Sequence, residues 1–157
     1  MNIKTLLKYI LLSLVQGFTE PLPISSSGHM IITKQLFGFK DTDLTLEIFL
    51  NFASMIAIFL FMFTKRLSFK ETLFNTSIIK KLIIASIPTI IIGFFLKSSI
   101  EKTSMSLFYI GISLLITTIL LLISSYFIKK ATSNDINYFN ALSLGFSQSV
   151  ALIPGIS

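Results

Sequence analysis

Read as hydrophobic and polar positions, the chain is a series of long apolar runs separated by short polar ones. A helix needs about 20 apolar residues to cross the hydrocarbon core of a bilayer, and three runs qualify as spans. The first covers 46–63 and is interrupted only by Glu47, Asn51, Ser54 and small neutral side chains. The second, 82–96, is shorter and holds Pro88 and Gly93. The third, 104–128, is the cleanest, and as a helix it would run about 37 Å, enough to cross with tilt. Glu47, Asn51 and Ser54, spaced four and then three apart, are expected to share a helix face turned towards the protein interior.

Two further apolar segments do not read as spans. Residues 5–39 are broken in the middle by Pro21-Leu-Pro23-Ile-Ser-Ser-Ser-Gly28, which leaves two limbs too short to cross comfortably. A hairpin that enters and leaves on one side of the membrane fits best. Residues 139–157 begin the same way, with an apolar limb running into Ile153-Pro-Gly-Ile-Ser157. Leu12-Ser-Leu-Val-Gln16 followed by Pro23-Ile-Ser25 parallels Leu142-Ser-Leu-Gly-Phe-Ser-Gln148 followed by Pro154-Gly-Ile-Ser157, though the spacing from Gln to Pro differs by one residue. Broken helices of opposite orientation are the mark of inverted-topology repeats, with a site where the breaks meet. The expected fold is therefore an all-α polytopic membrane protein, one domain over 1–157. It would be an inverted-topology repeat with re-entrant helical hairpins, the second repeat truncated. Lys4 and Lys8 ahead of a short apolar run resemble a signal peptide, but no small-x-small cleavage site follows, so the segment is expected to be retained.

Composition agrees with this reading and narrows the function. Charged residues make up 13% of the chain, about half the share of a soluble domain, so these residues cannot clothe a water-facing surface. With no Cys, disulfides and thiolate metal sites are excluded. The net charge of +6 comes from basic residues scattered between apolar runs, which suits anionic lipid headgroups and argues against nucleic acid as a partner. Lys65, Arg66, Lys70, Lys80 and Lys81 lie between the first two spans, and Lys129 and Lys130 close the third. The positive-inside rule places both sets in the cytoplasm, and the loops at 34–45 and 97–103 outside.

The chemistry-bearing residues gather at the first break. Gln16 and Glu20 are four apart and share a helix face. Glu20 is the one acid in the first 40 residues, and an acid inside an apolar hairpin points to function; a shallow, solvated break is the plainer alternative. Ser25, Ser26, Ser27 and Gly28 precede the second limb as N-cap candidates, and the free N–H groups there suit phosphate oxygens. His29 is the single His of the chain. A carboxylate, an imidazole, hydroxyls and an anion-binding helix end, together in a membrane, suggest phosphoryl chemistry on a lipid.

The run from Gln16 to His29 resembles the first signature of the undecaprenyl-diphosphate phosphatase (bacitracin-resistance) family, (Glu/Gln)-x-x-x-Glu followed by Pro-x-Ser-Ser-x-Gly-His. The run from Gln148 through Pro154-Gly-Ile-Ser157 resembles the opening of its second signature, Pro-Gly-x-Ser-Arg-Ser. The resemblance implies a hydrolase of the bacterial inner membrane with an outward-facing site. It would remove the terminal phosphate of undecaprenyl diphosphate and so regenerate the carrier lipid for wall synthesis. Glu20 is carried over as the catalytic carboxylate that binds metal or orients water, Gln16 as its partner, His29 as nucleophile or acid/base, and Ser26 as a hydroxyl near the phosphate. Ser25, Ser27, Gly28, Pro154, Gly155 and Ser157 are carried over to substrate binding. Mg2+ or Ca2+ is the implied cofactor, bridging pyrophosphate oxygens. Where the family continues with Arg, the chain stops at Ser157, and low turnover is expected of these residues alone. A lipid transporter or flippase is the rival reading, since broken helices also suit alternating access. Association with a second copy is left open.

Overall fold

The structure, a computed structural model, describes residues 2–39, 44–64, 75–103, 106–128 and 136–157. Among the described residues there are six helices and no strand. The first two are short: α1 (Ile3–Thr19) starts on Asn2, whose side chain accepts the Lys4 N–H, and α2 (Ser26–Leu36) starts on Ser25. Next come α3 (Leu44–Thr64) and α4 (Thr76–Thr103). Then come α5 (Leu107–Ile128) and α6 (Tyr138–Val150), the latter capped by Asn137, which accepts from the Asn140 N–H at 2.7 Å.

Three helices are long and apolar enough to cross a membrane, over Thr45–Thr64, Thr76–Leu96 and Leu107–Ile128. Large apolar side chains cover the outside, with Phe18, Phe94 and Phe139 each about three-quarters exposed or more. Water would not tolerate such a surface and lipid requires it. This is an all-α polytopic membrane protein. α4 extends well beyond the apolar run 82–96 at both ends: at its start Asn75 caps it early by accepting the Ser77 N–H at 3.0 Å, and at its end residues 97–103, expected as an outer loop, continue the helix. Of the basic positions that set the expected orientation, Lys80 and Lys81 lie in α4; Lys65, Arg66, Lys70, Lys129 and Lys130 lie outside the described residues, as do residues 104 and 105 of the third expected span.

α1 and α2 pack against each other and against α3, with Leu12, Met30 and Leu50 buried where the three meet and Val15, Phe39 and Leu46 around them. Lys34, expected at the start of an outer loop, instead lies inside α2, buried and ion-paired to Glu47 of α3. A cation can be buried here because the partner carboxylate enters with it. Glu47 and Asn51 both turn towards the α1–α2 hairpin, since Asn51 accepts a hydrogen bond from Gln16.

α4 packs along α6, and the contact is made by small residues. Ala141, Gly145 and Ser149 are buried at spacing four on α6. A Cβ on Gly145 would fall 2.2 Å from the Ala85 carbonyl oxygen, so the two backbones touch. Thr89 of α4 donates to the Gly145 carbonyl at 3.1 Å across the same contact. α5 turns a face of Ile110, Ser113 and Thr117 inward, all buried.

Candidate active site

α1 stops where its sequence can no longer donate. Pro21 and Pro23 have no N–H, and the chain winds through tight turns, with the Leu22 N–H on the Thr19 carbonyl and the Ile24 N–H on that of Leu22. It then reaches Ser25, the one non-glycine residue with positive φ among the described residues (φ 63°). Such a conformation costs on the order of 1–3 kcal/mol and marks a position held by its surroundings. Here the Ser25 side chain caps α2, accepting from the Gly28 N–H.

Glu20 lies just past α1 and collects the polar groups around it. Its Oε2 accepts from Gln16 Nε2 at 2.8 Å and from Ser26 Oγ at 2.6 Å. Both hydrogens of the Gln16 amide are engaged, because Nε2 also donates to Asn51 Oδ1 of α3 at 2.6 Å. Gln16 is buried, and because a carboxylate only accepts, its bond to Glu20 fixes which way the amide faces, with Asn51 accepting its second hydrogen. The second Glu20 oxygen, Oε1, accepts no hydrogen bond among the described residues. Glu20 is thus a part-buried carboxylate held in a side-chain network.

His29 sits one turn into α2, and its Nδ1 is 2.9 Å from the Ser25 carbonyl. A carbonyl can only accept, so Nδ1 carries the proton and Nε2 is the basic nitrogen of the neutral ring. Ser27 Oγ lies 3.2 Å from Ser25 Oγ. Ser26 thus reaches back towards α1 and Glu20, while Ser27 faces its own cap.

The second break comes to the first. Beyond α6 the chain turns through Ala151 to Ile153 with N–H groups on the carbonyls of Gln148, Ser149 and Val150. It arrives at Gly155 with φ 96°, a value that only glycine adopts freely. The Gly155 N–H donates to Ser25 Oγ at 3.0 Å, across 130 residues of sequence. Gly28 and Gly155 are in backbone contact: a Cβ on Gly28 would meet the Gly155 Cα at 3.0 Å. Thr117 of α5 closes the arrangement, donating to the Gly155 carbonyl at 2.7 Å and accepting from the Ser157 N–H at 3.1 Å.

The residues singled out in sequence thus fall into two touching groups. Gln16, Glu20 and Ser26 form one, and Ser25, Ser27, Gly28, Gly155 and Ser157 the other, with His29 joined to it through the Ser25 carbonyl. Pro154 is half-buried beside Gly155. Gln148, the counterpart of Gln16, is exposed. Among the described residues no cluster of three or more His, Asp or Glu side chains could by itself enclose a metal ion. Sequence reasoning missed Asn51 as the partner of Gln16, and Ser113 and Thr117 altogether. The spacing of Ile110, Ser113 and Thr117 along one face of an apolar span was the available signal.

A helical membrane protein in which two polar helix breaks meet, one of them carrying a carboxylate, an imidazole and serine hydroxyls, is the class that fold and site define. Residues 9–157 match the family described as bacitracin resistance protein BacA, and the chain belongs to it. It is 36% identical to undecaprenyl-diphosphatase 2 of Bacillus thuringiensis (strain Al Hakam), over 97% of this chain and 61% of the relative. Undecaprenyl-diphosphatase of Acholeplasma laidlawii is 40% identical over 97% of this chain and 61% of its own length. Undecaprenyl-diphosphatase 1 of Halalkalibacterium halodurans is 36% identical over 97% and 60%. The chain spans about 60% of the length of these curated relatives. No solved structure matches it. The transporter reading finds no support in the family or in these relatives.

Proposed function

We propose that this chain carries the catalytic hairpin of an undecaprenyl-diphosphate phosphatase, facing the outer side of the bacterial inner membrane. The observation that carries the reading is the 2.6 Å bond from Ser26 Oγ to Glu20 Oε2. A hydroxyl so close to a carboxylate has a base for its proton, and the amide of Gln16, bonded also to Asn51, holds that carboxylate in place. In this reading Ser26 Oγ attacks the terminal phosphorus, Glu20 takes its proton, and the bridging P–O bond breaks, so that the polyprenyl monophosphate leaves and a phosphoserine remains for water to hydrolyse. His29, with Nε2 as its basic nitrogen, serves the second proton transfer or the water that completes hydrolysis. At the start of α2 the N–H groups of Ser26 and Ser27 would meet the phosphate, as helix ends do, since those of Gly28 and His29 are taken by Ser25. The apolar exterior gives the polyprenyl tail a place in lipid beside the site.

The donor set also fits a divalent cation, in a restricted way. Glu20 Oε1 is the one carboxylate oxygen at the break without a hydrogen bond among the described residues, so the protein offers a single strong ligand. Mg2+ is commonly held by one or two carboxylates with substrate phosphates and waters, whereas Ca2+ asks for more protein oxygens. The set therefore suits Mg2+ better. Bound there, the ion would neutralise phosphate charge next to Ser26.

The test is phosphate release from a polyprenyl diphosphate by the full-length protein in detergent. Glu20→Gln keeps the size and removes the base, and should lower turnover by about 10²-fold or more; Ser26→Ala should do the same. Near-normal turnover in Ser26→Ala would move the attack to His29 or to water, and near-normal turnover in Glu20→Gln would remove Glu20 from the chemistry.

A further inference from the structure

Hydroxyls in the helices of this chain mostly satisfy their own helix. Thr19 donates to the Val15 carbonyl, Thr33 to that of His29 and Thr118 to that of Leu114, each at 2.7–2.9 Å and four residues back. This is the default for Ser and Thr in an apolar span, where no water competes. Thr117, adjacent to Thr118 and 2% exposed, does otherwise. It gives its proton to the Gly155 carbonyl and takes one from the Ser157 N–H, so one hydroxyl holds two backbone groups of the second break.

Ser25 holds the same segment from the opposite side. A serine oxygen has two acceptor positions, and those of Ser25 are filled by the N–H groups of Gly28 at 3.4 Å and Gly155 at 3.0 Å. Its proton is left for Ser27 Oγ. No acceptor position remains on Ser25 for a substrate. Packing leaves the segment no slack, because a Cβ on Gly155 would fall 2.6 Å from the Ser113 Cβ.

We propose that Thr117 and Ser25 are positioning residues: their two hydroxyls pin residues 155–157 between α5 and the start of α2, and so set the second break in register with Glu20, Ser26 and His29. The pin acts through backbone atoms, so it fixes where the second break lies whatever side chains it presents. Ser25 then works behind the site and does not touch the lipid diphosphate. The consequence for turnover rests on the phosphatase reading above; the consequence for geometry does not.

The experiment uses the full-length protein and two readouts. Spin labels at Leu22→Cys and Ile156→Cys report the distance between the breaks; residues 1–157 hold no Cys, and any Cys beyond residue 157 is first replaced by Ser. Thr117→Val keeps the shape and removes the hydroxyl, while Thr117→Ser keeps the hydroxyl. Thr117→Val should broaden the distance distribution and lower kcat by about 10-fold or more, as small misplacements do, with KM changed less. Thr117→Ser should restore both. Ser25→Ala, which keeps the Cβ and loses only the hydroxyl, should broaden the distribution in the same way and supplies the test if Thr117→Val does not fold. An unchanged distribution in both hydroxyl-free variants would overturn the proposal, as would equal damage from Thr117→Ser and Thr117→Val. A parent protein with a narrow distribution broadened by Thr117→Val, yet no phosphate release, would leave the pin standing and remove the phosphatase reading.

Discussion

The two helix breaks are built from similar sequence and work by different means. At the first, the contacts run between side chains: Gln16 to Glu20 and Asn51, and Ser26 to Glu20. At the second, the groups engaged are backbone ones, the N–H and carbonyl of Gly155 and the N–H of Ser157, each bound to a hydroxyl of another element. The paired glutamines show the same split, since Gln16 is buried in a network and Gln148 is exposed. Within these residues the first break is knit by side chains and the second is held by its backbone. Likeness between two short break sequences therefore says where the chain breaks and leaves open what each break contributes.

The sharpest way to break this comparison is at the helix that carries the second break. Gly145→Val would drive side-chain atoms into the Ala85 carbonyl, backbone that cannot move aside. We expect a loss of about 3 kcal/mol or more, at the upper end for overpacking, read as a lower melting temperature in detergent. A Gly145→Val protein that melts like the parent would show that α4 and α6 separate easily. Next comes the ion pair between buried Lys34 and part-exposed Glu47. Lys34→Met leaves Glu47 without its cation and should destabilise by about 2 kcal/mol, less than for a fully buried pair because Glu47 keeps some solvent access, while Lys34→Met with Glu47→Leu should recover most of it. If the double variant melts no higher than the single, the pair has a role beyond mutual neutralisation. The smallest effect separates the glutamines. Gln16→Leu strands Asn51 and loosens Glu20, a cost of about 1–3 kcal/mol, whereas Gln148→Leu in residues 1–157 should stay within about 0.5 kcal/mol. Equal shifts would mean that the two breaks are more alike than their contacts indicate.

Much of this was legible in advance because bilayer length and helix periodicity leave few choices. The spans follow from apolar length alone, and the break from Pro21, Pro23 and the serines after them. The spacing of Gln16 and Glu20 predicts a shared face, and the 2.8 Å bond between them is its outcome. Partners across elements were less legible. Lys34 reads as an interfacial cation until Glu47 is seen to meet it. Thr117 reads as one more hydroxyl in an apolar run, since the bond that distinguishes it goes to a residue 38 positions away. Periodicity reports which residues share a face and is silent on what lies opposite.

The contact at Ala85 and Gly145 also bears on which substitutions the protein can absorb over generations. In a water-soluble domain the bulky core residues are the ones least free to change. Here the bulky residues face outward, and Phe18, Phe94 or Phe139 could become any lipophilic residue of similar size at small cost. The restriction falls on the smallest side chains instead. Gly145 has no room for a single methyl group, and Gly155 has neither the room nor the backbone angle for one. Drift should therefore be fast at these outward phenylalanines and halted at Gly145 and Gly155.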